Sequence, residues 1–293
     1  MTVMVTGASG VVGRALVERL VRRDEVRVCV RDPRTAEPLR ALGAKVAVGR
    51  LEDADALAEI LRRVYTVIHL VGGPNQVDDE AILAANHGTV VTALAAGREA
   101  GVKRFILLSI PGASTEAPHP FLRAKGLAEE AVTQSGLEHA IVRATHAYGA
   151  GGLWFRSMVE GATASPPFVV GDGRQSIAPV YADDVAAVLE AADDADHRLS
   201  GTWAIEGPDV LTAGDLVARL TTDGVAPIPL EPVAAAVRLS DALGTPVSVM
   251  AASFFAAPSR ADALDAAEAF GVARTPLANG LAVIVERALG AGR

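Results

Sequence analysis

Glycines at positions 7, 10 and 13 follow directly on the apolar run Val3-Met4-Val5 and Thr6. An amphipathic stretch through Leu16, Val17, Leu20 and Val21 comes next. This order predicts a strand, a tight turn and a helix. Each glycine has its own physical reason. Gly7 leaves the strand in a conformation that a Cβ resists, Gly10 lets the backbone approach a pyrophosphate, and Gly13 lets the helix lie close on the strand. The N–H groups and positive dipole end of the new helix face anionic oxygens. A lone glycine triplet is a weak signal, but between a strand and a helix it predicts dinucleotide binding. The expected cofactor contacts are Thr6, Gly7, Ser9, Gly10, Val11 and Val12.

The second strand, Glu25 to Arg31, ends about twenty residues past the glycines, where such a fold reads the adenosine ribose. A carboxylate there accepts from a 2′-hydroxyl, whereas this chain has Arg31. A guanidinium suits a 2′-phosphate, so NADP(H) is expected over NAD. The alternative is a solvated arginine paired with Asp32. Strands at Lys45–Val48 and Thr66–Val71 follow, the latter ending in Gly72-Gly73-Pro74. A glycine turn at the carboxyl end of a parallel strand borders the dinucleotide crevice, which adds Val71, Gly72 and Gly73 to the expected contacts. A long Ala-rich helix from Asp79 to Ala100, a strand at Arg104–Ser109, a helix from Phe121 behind Pro118 and Pro120, and a strand at His139–Arg143 complete the alternation. The expected fold class is α/β, a doubly wound parallel sheet of the Rossmann kind with a small C-terminal substrate lobe. Residues 1–148 are expected to form the dinucleotide-binding unit, with 176–206 returning to it. Residues 149–175 and 207–293 are expected to form the lobe.

With 293 residues, half of them hydrophobic, the chain can bury a core without staples. A net charge of -8 argues against nucleic acid and anionic membranes as partners. The single cysteine, Cys29, lies in an apolar segment and is expected to be a buried small side chain. The six histidines show no ligand spacing, so no metal site is expected. The first strand begins within two residues of Met1, so no targeting peptide is expected, and no apolar run is long enough to span a bilayer. A cytoplasmic monomer or homodimer acting on a small molecule is expected.

The chain resembles the short-chain dehydrogenase/reductase superfamily, in its atypical or extended branch near the NmrA-like and isoflavone-reductase-like groups. The residues that carry the resemblance are Thr6 to Gly13, Val30-Arg31-Asp32-Pro33, Asn86-His87-Gly88-Thr89, Gly101 to Phe105, Val142-Arg143 with Tyr148-Gly149, and Val180 to Ala186. It covers roughly Met1 to Glu206. It implies a serine at the end of the fifth strand and a Tyr-x-x-x-Lys pair on the next helix. The lysine holds the nicotinamide ribose and lowers the tyrosine's pKa, so that the phenol exchanges the substrate proton. Ser109 matches the serine and Lys125 the lysine, but Phe121 stands at the tyrosine position. A phenyl ring transfers no proton. A second departure is Arg50, where the family normally has aspartate near the adenine.

Substitutes for the phenol are sought among His119, two residues before Phe121, and His146 and Tyr148, in the loop after the sixth strand. Tyr181 and His69 are further options. Histidine has a suitable pKa, although each of these residues also has an ordinary packing role. The expected catalytic set is Lys125, Ser109, His119 and His146. The leading reading is an NADPH-dependent oxidoreductase acting on a quinone, an enone or a similar carbonyl. The alternatives are a dinucleotide-binding regulator without turnover and an NADP-binding enzyme of a non-redox reaction. The few aromatics near Trp154 are candidates for the substrate pocket. The chain beyond the strand at Gly201–Ile205 shows no chemical motif.

Overall fold

A computed structural model describes residues 1–194, 200–221 and 225–290. The first half alternates strands and helices: β1 (Thr2–Thr6), α1 (Val11–Leu20), β2 (Glu25–Val30), α2 (Ala36–Ala41), β3 (Lys45–Val48), α3 (Ala54–Leu61) and β4 (Thr66–His69). Next come α4 (Asp79–Leu83), a π-helical turn at Ala84–Gly88, α5 (Thr89–Ala100), β5 (Arg104–Ser109), α6 (Pro120–Thr133) and β6 (Glu138–Ala144). The second half begins with β7 (Ala147–Tyr148), α7 (Leu153–Thr163), β8 (Phe168–Val170), β9 (Ser176–Ile177), β10 (Val180–Tyr181) and α8 (Ala182–Asp193). It continues through β11 (Gly201–Ile205), β12 (Leu211–Thr212), α9 (Ala213–Leu220), β13 (Ile228–Leu230), α10 (Pro232–Leu243) and α11 (Val249–Phe255). It closes with β14 (Leu264–Asp265), α12 (Ala266–Ala269) and α13 (Leu277–Gly290).

Eight strands form one parallel sheet in the order β3-β2-β1-β4-β5-β6-β11-β14. The reversal between β1 and β4 opens the crevice at the carboxyl ends of the strands, where ligands of such sheets bind. Period-two alternation divides the strands between two cores. Val3, Val5, Ile68, Ile106 and Val142 pack with α1 and α8 on one face. Met4, Val67, Phe105, Leu107 and Ile141 pack with α3 and α5 on the other. Cys29 is buried in the second core, and burial pushes its thiol pKa up.

A third core joins α7, α9, α10 and α11 around Met158, Phe168, Leu216 and Leu239. Sequence had assigned all of 207–293 to a lobe, yet β14 extends the sheet beside β11, and Ala266, Ala267 and Phe270 pack in the first core. A two-residue strand is too short for its alternation to be read from sequence. The expected helix at Asp79–Ala100 also differs, because a π turn widens it around Asn86. Among the described residues no helix is long and apolar enough to cross a membrane.

Candidate active site

A cavity of about 260 Å³ opens at the carboxyl end of the sheet. One part of its lining, the β4 wall, comes from Leu70, Gly72, Gly73 and Pro74, with Val11 from α1. A second part, the aromatic wall, comes from Trp154, Phe254 and Phe255, and Ser109, Phe121, Lys125 and His146 line it as well.

The cradle beside it is built by β1 and α1. Gly7 adopts φ +70°, and its carbonyl accepts from Gly10 N at 3.0 Å, which closes the turn. A Cβ on Gly13 would meet Gly7 O at 2.2 Å, so α1 lies against the turn at a distance only glycine permits. A Cβ on Gly10 would meet that carbonyl at 3.3 Å, and the position is otherwise open. No side chain caps α1, and Ser9 and Gly10 are exposed. The first-turn N–H groups are therefore free for a phosphate, and these residues fit a dinucleotide. The other expected contacts divide. Val11 lines the cavity, while Val12 packs into the core and offers a ligand only its backbone. Thr6 is buried and its Oγ1 accepts from Leu70 N at 3.2 Å, tying β1 to the turn after β4. Val71 packs against the second core, whereas Gly72 and Gly73 line the cavity.

Arg31 is exposed just past β2. Asp32 is taken by Arg34, whose Nε and Nη2 donate to it at 3.0 and 2.8 Å. Arg31 is solvated, with no hydrogen-bond or ion-pair partner among the described residues.

Phe121 and Lys125 lie one turn apart on α6 and both reach the cavity. Lys125 is buried, and its Nζ donates to Leu108 O at 2.6 Å. Burial lowers its pKa to about 8, with Glu129 opposing the shift. Ser109 Oγ is buried with no hydrogen-bond partner, at the end of the strand that supplies Leu108. A buried hydroxyl left unpartnered in a cavity wall is available to a ligand's oxygen. The Phe121 ring packs edge-on against Phe254, with centroids 4.9 Å apart.

The three candidate histidines, His146, His119 and His69, lie in different surroundings. His146 joins the cavity and stacks on Trp154 with centroids 4.6 Å apart. Its burial lowers the pKa to about 3, so it is neutral near pH 7 and Nε2 has no partner. His119 does not line the cavity. It caps α6, accepting from Phe121 N at Nδ1 (3.3 Å), and its Nε2 meets Ser253 Oγ at 3.1 Å. Both ring nitrogens are thus engaged away from the cavity. His69 is buried under it, stacked on Phe105, with Nε2 at 3.3 Å from Thr89 Oγ1. Burial and then the charge of Lys125 lower its pKa to about 3. Tyr148 is buried in the third core, where burial raises its phenol pKa, and the Tyr181 ring lies tilted against it with centroids 5.4 Å apart. Of these groups, His146 is the one among the described residues that lines the cavity.

Three site residues escaped sequence reasoning. Phe254 and Phe255 come from the stretch in which no motif was visible; their adjacency in a chain with 4% aromatic residues was the available signal. Asn86, displayed by the π turn, clamps the β4 loop. Its Oδ1 accepts from Gly73 N at 2.9 Å, and its Nδ2 donates to Gly73 O at 3.2 Å and Ile82 O at 2.9 Å.

A family described as NAD(P)H-binding matches residues 7–192. The mitochondrial NADH dehydrogenase [ubiquinone] 1 alpha subcomplex subunit 9 of Arabidopsis thaliana is 32% identical over 222 residues, covering 72% of this chain and 55% of its own. The chain thus spans about half the length of that relative. A (4-alkanoyl-5-oxo-2,5-dihydrofuran-3-yl)methyl phosphate reductase of Streptomyces griseus is 29% identical, covering 75% of this chain and 72% of its own. Among solved structures, MoeE5 in complex with UDP-glucose and NAD superposes with a TM-score of 0.74 at 22% identity over 100% of both chains, which speaks to the fold alone. With the matched segment covering the glycine turn, β4, β5 and α6, the chain belongs to the NAD(P)H-binding family, in the NmrA-like, atypical group of short-chain dehydrogenases/reductases.

Proposed function

We propose that this protein is an NADPH-dependent oxidoreductase that reduces a planar conjugated acceptor, a quinone, an enone or a related carbonyl, without a catalytic tyrosine. The observation that carries the reading is the pairing of Phe121 with Lys125 and Ser109 in one cavity. The cation and the hydroxyl are kept, and the phenol is replaced by a hydrocarbon ring. A conjugated acceptor delocalises the charge that develops on its oxygen, so it tolerates the loss of a strong proton donor better than an isolated ketone does.

A bound NADPH supplies hydride. Ser109 Oγ–H donates to the acceptor's oxygen and orients it. Lys125 Nζ holds the ribose and gives the oxygen its proton, a task that its lowered pKa suits. Trp154, Phe254 and Phe121 hold the acceptor's ring flat and keep water out. Neutral His146 offers one further polar atom. Arg31, exposed and uncommitted beyond β2, selects the 2′-phosphate. Residues 1–148 with 176–206 are the dinucleotide unit of this scheme, and the remainder, apart from β14 and α12, supplies the acceptor lobe.

The test is to mix purified protein with NADPH and a panel of quinones, enones and simple ketones, following the absorbance of the reduced nicotinamide. Turnover of conjugated acceptors with little on simple ketones is the expected result. Tight NADPH binding with no oxidation across the panel favours the second reading, a dinucleotide-binding subunit or regulator without turnover. Phe121 also motivates that reading, as does the Arabidopsis relative named as a subunit of a larger assembly.

A further inference from the structure

The cavity has two walls that come from distant parts of the chain, and a hydrogen-bonded clasp crosses between them. Pro74, on the β4 side, is followed by Asn75, which is exposed. The Asn75 carboxamide uses both of its ends on one loop of the other wall. Nδ2 donates to Pro246 O at 3.0 Å, and Oδ1 accepts from Ser248 N at 2.7 Å. Ser248 Oγ also lies 3.4 Å from Pro74 O and caps α11 by accepting from Ala251 N at 3.1 Å. α11 carries Phe254 and Phe255, the aromatic wall. Asn86 holds Gly73 on the near side independently of this clasp.

We propose that Asn75 is a positioning residue of the acceptor pocket: its carboxamide sets how closely the Phe254–Phe255 wall approaches the Gly72–Pro74 wall, and so sets affinity for a planar acceptor. It touches none of the reacting groups and acts through Ser248 and α11. The residue type fits the task. A carboxamide donates and accepts at once, as the Pro246 carbonyl and the Ser248 N–H require, and an aspartate keeps only the accepting half. The hydrogen bonds are solvent-exposed, so they are weak enough to break and re-form as a ligand enters. The contact between His119 and Ser253 remains as a second hold on α11 when the clasp is open. The substrate part of the proposal rests on the function proposed above. The wall geometry does not.

The experiment therefore has one readout free of turnover. Trp154 lines the cavity, whereas Trp203 is buried against Phe270 on the far core. In a Trp203→Phe background, acrylamide quenching reports on Trp154 alone. Asn75→Ala is expected to raise the quenching constant about threefold, with Asn75→Asp in between, while thermal midpoint and NADPH affinity stay unchanged. With a conjugated acceptor, Asn75→Ala is expected to raise KM about tenfold at constant kcat, as two lost hydrogen bonds imply. Should Trp203→Phe fail to fold, the same KM-against-kcat split in the Trp203 protein decides the matter. Unchanged quenching overturns the proposal. So does a rise in quenching accompanied by lost stability or lost NADPH binding, which marks a merely structural contact. Absence of turnover in the parent protein overturns the proposed function and leaves the quenching result to judge Asn75.

Discussion

Lys125 Nζ donates to Leu108 O at 2.6 Å, which ties the cavity's lysine to the strand end that carries the unpartnered hydroxyl of Ser109. One turn earlier on the same helix, Phe121 presents a ring in place of an acid.

Phe121→Tyr restores the family's proton donor next to Lys125, whose charge stabilises a phenolate. Reduction of a simple ketone is expected to rise at least tenfold in kcat/KM, with quinone reduction altered by less than threefold. Steady-state kinetics on the two substrates checks it; unchanged ketone activity would mean that Ser109 and Lys125 do not present the ketone to position 121.

Lys125 carries a stability cost. Its pKa in the folded protein is about 8 against an ordinary 10.5, so the unfolded chain binds more protons between those values. Stability therefore rises with pH across that window, and the cost of roughly 3 kcal/mol is fully present below about pH 8. Lys125→Met is expected to melt at an equal or higher temperature at pH 7 and to lose the pH-dependent gain between 8 and 10, while turnover and NADPH affinity fall. Thermal melts from pH 7 to 10 decide it; identical pH profiles for the two proteins contradict the burial argument.

Arg31→Ala is expected to weaken NADPH binding by about one to two decades and to leave NADH within a factor of two, since a charge-assisted bidentate contact is worth roughly 1.5–3 kcal/mol. Calorimetry with both cofactors measures this. Equal losses for both remove Arg31 from cofactor choice.

The glycines of the cradle separate into a folding position and a binding position. Gly13→Ala drives a Cβ into backbone at 2.2 Å and is expected to lower stability by about 2–4 kcal/mol. At position 10 a Cβ meets only Gly7 O, at 3.3 Å, so Gly10→Val is expected to fold but to lose dinucleotide binding of either kind. Melting curves and calorimetry on both variants distinguish the two roles.

The sheet was legible because its signals are local. Val3 to Thr6, the glycine turn and the alternating strands read by period alone, and Ser109 and Lys125 read through a motif of fixed spacing. The aromatic wall was not legible, because Phe254 and Phe255 reach the cavity only after α8, β11 and most of the lobe have folded, and no local pattern encodes that return. For His119, nearness in sequence and nearness in space part company. Its position two residues before Phe121 placed it near the chemistry in sequence, but the start of α6 turns its ring into a helix cap against Ser253. The π turn at Ala84–Gly88 was hidden for another reason: the Ala-rich stretch from Asp79 to Ala100 has the composition of an uninterrupted helix, and the wide turn is visible only through what Asn86 grips.

The central claim is that this cavity transfers hydride to a conjugated acceptor without a tyrosine. Its most direct test is anaerobic incubation of the protein with NADPH deuterated at the nicotinamide C4 and a conjugated enone, followed by mass spectrometry of the product. The account predicts one deuterium on the enone's β-carbon, formed by wild type and by Phe121→Leu but not by Lys125→Met. Saturable NADPH binding with no deuterium in any acceptor of the panel contradicts it.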